Sequence, residues 1–373
     1  MKTCRYGLAP VFLAVLMACL MELGPVAALV AGQEGGSNAF SGVIDGRNRF
    51  YMTLKKSGTS LTGSYFFVQT IPFSPKRVQL KGSYDDSGQI VLNEIRYDDH
   101  GDEQVVKAFV VKPDGERISG GLPAHMSGQW FKNESSAGLP VSLSVQRNQP
   151  GQGRFVSKKY DLQNKRQNYT IHAEYPQIVD SQDAHAIRFN RAVKNAVLKH
   201  IRAFKKQCAE LARTDFRRPP GEQLGYTEDI SCEILAANRS LISLTIEDDT
   251  FYGGAHGVET TSSLNYDLTR GRLLELSDVF RPQFPYLKSV SRACIQTLHH
   301  AYPELYDSPT FLQELHNNAS ARSSNYHTWN VTPYGLQITF AEYQVAPYAY
   351  GEIQIVLPYN TIQAIIRPHF VPR

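Results

Sequence analysis

From Phe40 to about Val145, apolar and polar residues alternate in short runs separated by turn signals. The runs fall at 50–54, 61–67, 78–82, 89–92, 105–111, 126–131 and 139–145, with Ser57-Gly58, Asp85-Asp86-Ser87-Gly88, His100-Gly101-Asp102 and Asp114-Gly115 between them. A period of two places alternate side chains on opposite faces of a strand, so each run predicts a half-buried strand. Turns this closely spaced imply hairpins in an antiparallel meander. About seven or eight such strands predict a small barrel or sandwich.

The pattern changes after the polar, Pro/Gly-rich segment Asn148-Gln149-Pro150-Gly151-Gln152-Gly153. Residues 169–175 predict a strand closed by Pro176, and Asp180 to Asp183 offer helix caps. Phe189, Val193, Val197, Ile201, Phe204, Cys208 and Leu211 then recur at three- and four-residue spacing, which predicts a long helix over 184–213. Strands follow at 230–236, 241–247 and 260–268, a second long helix near 284–302 and a shorter one within 309–317. Strands at 329–331, 336–340 and 353–357 and a terminal helix over 359–366 complete the chain. Helices and strands mix without regular alternation, so the fold class is α+β: an N-terminal antiparallel β-barrel or sandwich, then an α+β module with a mixed or antiparallel sheet and two long helices.

The expected domains are a signal peptide at 1–28, a flexible leader at 29–39 and an all-β domain at 40–147. A strand plus long helix at 155–225 and an α+β domain at 226–373 follow. Lys2 and Arg5 precede an apolar stretch from Leu8 to Met21, and Val26-Ala27-Ala28 forms a small-residue cleavage site. A lipobox, Leu16-Met17-Ala18-Cys19, offers a second reading in which Cys19 carries a lipid anchor, the one membrane attachment expected. Either way the protein is expected to be exported, to the periplasm or beyond. The formal charge of +4 is mild and argues against nucleic acid as the main partner.

Cys4 and Cys19 lie in the signal, which leaves Cys208, Cys232 and Cys294. An odd number permits one bridge and one leftover thiol. Cys208 sits on the long helix and Cys232 on the strand expected beneath it, so that pair is the expected disulfide. The alternative is three small buried apolar residues.

Two segments carry the candidate chemistry. Phe251-Tyr252-Gly253-Gly254-Ala255-His256-Gly257 and Tyr343-Gln344-Val345-Ala346-Pro347-Tyr348-Ala349-Tyr350-Gly351 both interrupt strand-like sequence with glycine, proline and aromatic residues. Glycine permits positive φ, and tyrosine supplies rigid contact area at low entropic cost. Tyr252, Gly253, Gly254, His256, Tyr343, Pro347, Tyr348 and Tyr350 are therefore candidate binding residues. Neither segment holds a nucleophile motif, a carboxylate pair or a metal set, and no nucleotide loop or zincin helix occurs. No catalytic residue, cofactor or metal is expected. His299 and His300, adjacent on a helix, point about 100° apart, a poor chelating geometry. His256 beside Asp248, Asp249 or Glu342 keeps open a second reading, an enzyme acting on an envelope polymer such as peptidoglycan, as a hydrolase or deacetylase-related enzyme. A barrel holding a small apolar ligand is a third reading.

Gly253-Gly254-Ala255-His256-Gly257, Leu264-Asn265-Tyr266-Asp267-Leu268, the Thr269-Arg270-Gly271 turn, Leu274 to Phe280 and Phe340 to Tyr359 together resemble an uncharacterised-domain family. That family forms the extracellular part of RsiV-like lysozyme-sensing anti-sigma factors and precedes the catalytic domain of PdaC-like peptidoglycan deacetylases. Residues 155–215 are similar to the companion domain upstream. The resemblance implies an envelope protein that binds a lysozyme-like protein or a cell-wall glycan through the two loops. The sequence contains neither a sigma-binding segment nor a deacetylase domain, so neither of those activities is expected.

Overall fold

This computed structural model describes residues 38–371 except 86, 98–102, 119–121, 134, 147, 216–224 and 255. The expected signal peptide, the lipobox cysteine Cys19 and the expected leader up to residue 37 lie outside the described residues. The described residues divide into two compact units, one of 38–68 with 76–146, the other of 69–75 with 148–371.

The first unit is a closed antiparallel barrel of eight strands: β1 (Asn38–Ile44), β2 (Asn48–Ser57), β3 (Ser60–Phe67), β4 (Val78–Tyr84), β5 (Ile90–Tyr97), β6 (Glu103–Arg117), β7 (Pro123–Trp130) and β8 (Leu139–Val145). Pairing of β1 with β8, Phe40 opposite Val145 and Ile44 opposite Val141, closes the ring and excludes a sandwich. Closure requires strands to coil tightly, and glycine makes room where they do. A Cβ on Gly63 would stand 1.9 Å from the Thr53 carbonyl oxygen, and one on Gly128 would stand 2.1 Å from that of Val110. Inward side chains such as Phe40, Phe50, Met52, Leu54, Phe109 and Val111 are buried and fill the interior as a packed core. Within it Tyr65 donates a 2.5 Å hydrogen bond to Glu94.

The second unit contains a six-stranded sheet of β9 (Arg154–Asn164), β10 (Tyr169–Val179), β11 (Tyr226–Ala237), β12 (Leu241–Phe251), β13 (Val258–Asp267) and β14 (Arg272–Leu273), in the order β14-β13-β12-β11-β10-β9. Only β10 and β11 run parallel, because the long helix α1 (Ala184–Asp215) connects them as a crossover. Asp183 Oδ1 accepts the His185 N–H at 2.7 Å, satisfying one of the free donors at the helix start. The stripe Phe189, Val193, Val197, Ile201, Phe204 and Cys208 then packs on Ile171, Ile242, Leu244, Ile246 and Leu264. Full burial of each large apolar side chain contributes about 1.5–3 kcal/mol, so this seam holds the helix to the sheet.

On the other face of the sheet, at its β12–β13 end, lies a second layer: α2 (Leu276–Val279), α3 (Tyr286–Ala301), α4 (Pro303–Tyr306), α5 (Pro309–Asn318), the antiparallel strands β15 (Trp329–Val331), β16 (Gly335–Phe340) and β17 (Ile353–Pro358), and α6 (Tyr359–Ile362). The seam is polar as well as apolar. Asn265 Nδ2 donates to the Trp329 carbonyl at 2.7 Å, and Asn330 Nδ2 donates to Ser243 Oγ and the Leu244 carbonyl, both at 3.0 Å.

Three expectations need correcting. Pro176 does not close its strand, because β10 continues to Val179. Beyond Ala173 only β9 pairs with it, so a residue lacking an N–H is tolerated at the open edge. The terminal helix is one turn, 359–362, after which Ile366 bridges to Phe280. Cys208 and Cys232 are free thiols, as is Cys294. Cys208 lies close enough to Glu228 to feel its charge, whereas Cys232 is four residues further along β11, about 13 Å at the strand rise. A disulfide needs Cα atoms within about 7 Å. Burial pushes both thiols up to about 12.

Candidate functional site

The two loops singled out in the sequence are the connections β12–β13 and β16–β17, and the second layer brings them together. The first turns at Gly253 (φ +83°) and Gly254 (φ +115°), conformations that an L side chain resists. The second is anchored from below. Tyr306 donates to the Val345 carbonyl at 2.7 Å in the core, and Gln344 Nε2 donates to the Asn325 carbonyl at 3.0 Å while its Oε1 accepts the Ala341 N–H. Pro347 leads into a single 3-10 turn, Tyr348–Tyr350. Gly351 at φ +61° closes it, with its N–H on the Tyr348 carbonyl at 2.8 Å. Glu352 Oε1 accepts the Thr261 N–H at 2.8 Å and ties this loop to β13.

The result is a run of three rings drawn from two distant segments. His256 and Tyr348 lie 4.9 Å apart between centroids at 30°, with Nδ1 and the tyrosine hydroxyl at 3.2 Å. Tyr348 and Tyr343 follow at 5.6 Å and 31°. Tyr343 is 70% exposed and sits at φ +62°. For a bulky L-residue the left-handed region costs about 1–2 kcal/mol, so the anchored turn holds this ring in solvent against a local penalty. Tyr350 is turned edge-on to Tyr302 at 5.6 Å and borders the ridge.

Tyr252 is not part of it. Its ring packs on Phe204 at 5.3 Å and Tyr226 at 6.5 Å on the α1 side of the sheet, and burial pushes its hydroxyl up to about 12. Asp248 also faces α1, where it meets His200. The hydrogen-bond partners of His256 are Tyr348 and the Gly257 carbonyl, which puts its ring on an aromatic ridge with no bond to the three carboxylates suggested for it.

Sequence inspection missed an acidic belt beside the ridge. Glu247, Asp249, Glu259, Glu342 and Glu352 interact with one another. The Glu259 and Glu352 carboxyls are raised first by burial and then by these neighbours; Asp249 is raised by burial and then by Asp229 and Asp248. The signal was present, because Glu247 and Asp249 alternate on β12 and Glu259 faces Asp249 across the hairpin. Glu342 and Glu352, both far along the chain, required the fold to place them.

Residues 162–259 match the family model described as Deacetylase PdaC, and residues 277–360 match the model described as Protein of unknown function (DUF3298). The resemblance to these two families holds. Among characterised relatives, the Bacillus subtilis (strain 168) protein named peptidoglycan-N-acetylmuramic acid deacetylase PdaC is 20% identical over 189 residues. The match takes in 50% of this chain and 38% of the relative, so the chain spans well under half of that protein's length. Two solved DUF3298 family structures are similar, one from Pseudomonas aeruginosa PAO1 (16% identity, TM-score 0.43) and one from Bacteroides fragilis NCTC 9343 (18%, TM-score 0.45). Each match covers 59% of this chain and 96% of the other. The PdaC match ends at the loop that carries His256, and the DUF3298 match contains the tyrosines that meet it.

Proposed function

We propose that this is an exported protein of the cell envelope whose second unit binds a partner through the His256–Tyr348–Tyr343 ridge. The observation that carries the reading is Tyr343, a strongly exposed aromatic side chain held at positive φ by a buried anchor and aligned with two further rings. Exposed rigid aromatics are typical anchors of interfaces. Gly253, Gly254 and Pro347 shape the two loops, and Tyr350 flanks the ridge.

The partner we favour is a lysozyme-like protein, as the resemblance to RsiV-like proteins implies. The acidic belt beside the ridge supports it, since complementary charge steers a cationic surface. A cell-wall glycan is the second reading, supported by the stacked rings and by the likeness to a protein named for acting on peptidoglycan. The ridge binds and does not turn over. The barrel, its interior filled with side chains, serves as a spacer or second binding module.

Titration calorimetry of the full chain with a c-type lysozyme and, separately, with soluble peptidoglycan fragments distinguishes the partners. Binding of either that weakens in Tyr348→Ala supports the reading. Failure of both ligands to bind contradicts it.

A further inference from the structure

On the α1 side of the sheet, facing away from Glu247, Asp249 and Glu259, three polar side chains from three elements form a chain. His200 of α1 donates from Nδ1 to Asp248 Oδ2 of β12 at 2.8 Å. Its Nε2 lies 3.3 Å from Ser262 Oγ of β13. A carboxylate only accepts, so Asp248 fixes the proton on Nδ1 and leaves Nε2 with a lone pair aimed at the serine hydroxyl. Asp248 is 7% exposed, and its second oxygen has no hydrogen-bond partner, so the imidazole is its one hydrogen bond. Ser262 is half-buried at the rim of the seam.

One further feature distinguishes this chain from a plain helix-to-sheet latch: Ser263 follows the serine on an edge. β14 pairs with β13 only at Tyr266 and Asp267. The Thr261 N–H points away from β12 to reach Glu352, and strand alternation gives the Ser263 N–H the same direction. Among the described strands none pairs with that edge at Ser263, so the amide after the serine is available as an oxyanion donor.

We propose that Asp248, His200 and Ser262 form an acyl-transfer relay acting on a small ester at the β13 edge. Ser262 Oγ bonds to the ester carbonyl carbon while its proton passes to His200 Nε2. The carbonyl oxygen becomes the oxyanion and is met by the Ser263 N–H. Collapse breaks the bond to the alcohol oxygen, and the alcohol leaves with the proton from Nε2. Water then adds to the acyl-serine, giving its proton to Nε2, and Ser262 departs with that proton. The net reaction is ester plus water to carboxylic acid plus alcohol, with Asp248 ionised throughout and no oxidation or reduction. The site is separate from the ridge and does not rest on the binding reading.

The test is labelling of the full native chain with a fluorophosphonate probe, mapped by peptide mass spectrometry, alongside hydrolysis of p-nitrophenyl acetate. The expected result is one adduct, on Ser262, absent in Ser262→Ala. Its rate should fall at least about tenfold in His200→Gln and in Asp248→Asn, with loss of acetate hydrolysis in parallel. A third readout protects against unfolded variants: in the wild type the labelling rate should rise with pH, and His200→Gln should remove that dependence. No adduct above a heat-denatured control, an adduct elsewhere, or a rate indifferent to pH and to His200→Gln overturns the relay and leaves these residues as a structural latch.

Discussion

Glu228 lies on β11 under α1 with no exposed surface, and neither of its carboxylate oxygens has a hydrogen-bond partner. Burial pushes its carboxyl up from 4.5 to about 8; Asp248 adds to the rise, and Lys205 opposes it. The side chain is therefore carried protonated at neutral pH. The folded-state value exceeds the unfolded one, so the native state holds the extra proton between them. Stability is unaffected below about pH 4.5, falls as pH rises from there, and levels off above about pH 8. At about 1.4 kcal/mol per pH unit, the full effect is about 5 kcal/mol, of which about 3 is already lost at pH 7. Local relaxation and water entry reduce the measured value, and about 2–4 kcal/mol at pH 9 is the working expectation. Glu228→Gln keeps the shape and removes the titration. Urea melts of both proteins from pH 5 to 9 should show their smallest gap at pH 5 and a gap that widens with pH in favour of the glutamine variant. Taking the difference cancels other titrating groups, including Asp249, Glu259 and Glu352. Parallel curves across that range would refute the reasoning.

Other outcomes follow from packing. Gly63→Ala would place a methyl carbon 1.9 Å from the Thr53 carbonyl and should open the barrel, at a cost above about 3 kcal/mol in a melt of the first unit's near-ultraviolet signal; an unchanged midpoint contradicts the close approach. Asn330→Ala removes both hydrogen bonds from β15 to Ser243 and Leu244 and should destabilise by about 2–3 kcal/mol in denaturant melts. Thiol titration of the unfolded, unreduced chain should count Cys208, Cys232 and Cys294 all as reactive, whereas prior reduction raising the count would restore the disulfide.

Local grammar made most elements legible. Alternation located the barrel strands β2 to β8, though not β1, and the three- and four-residue spacing located α1, because one buried face suffices to impose each period. Closure was not legible. It depends on Phe40 finding Val145, a pairing no local pattern encodes, and a sandwich has the same alternation. Pro176 misled because its effect depends on whether a neighbour pairs at that level, which only the sheet order decides. The two loops stood out through glycine and tyrosine, and their meeting follows from the β12–β13 and β16–β17 hairpins opening side by side. Tyr252 was misplaced with them, since one step along a strand end turns a ring from the ridge to the core. Asp248 was weighed beside the wrong histidine, because the meeting of His200 with Asp248 and Ser262, 48 and 62 residues away, had no signal before α1 was laid on the sheet.

The central claim is that the ridge binds. Calorimetry with a c-type lysozyme, comparing the native chain with Tyr343→Ala and Tyr348→Ala at matched folding stability, tests it most directly. The account predicts saturable binding that weakens as salt is raised, and a loss of more than about 1 kcal/mol in each variant. Affinity identical in all three proteins would contradict it.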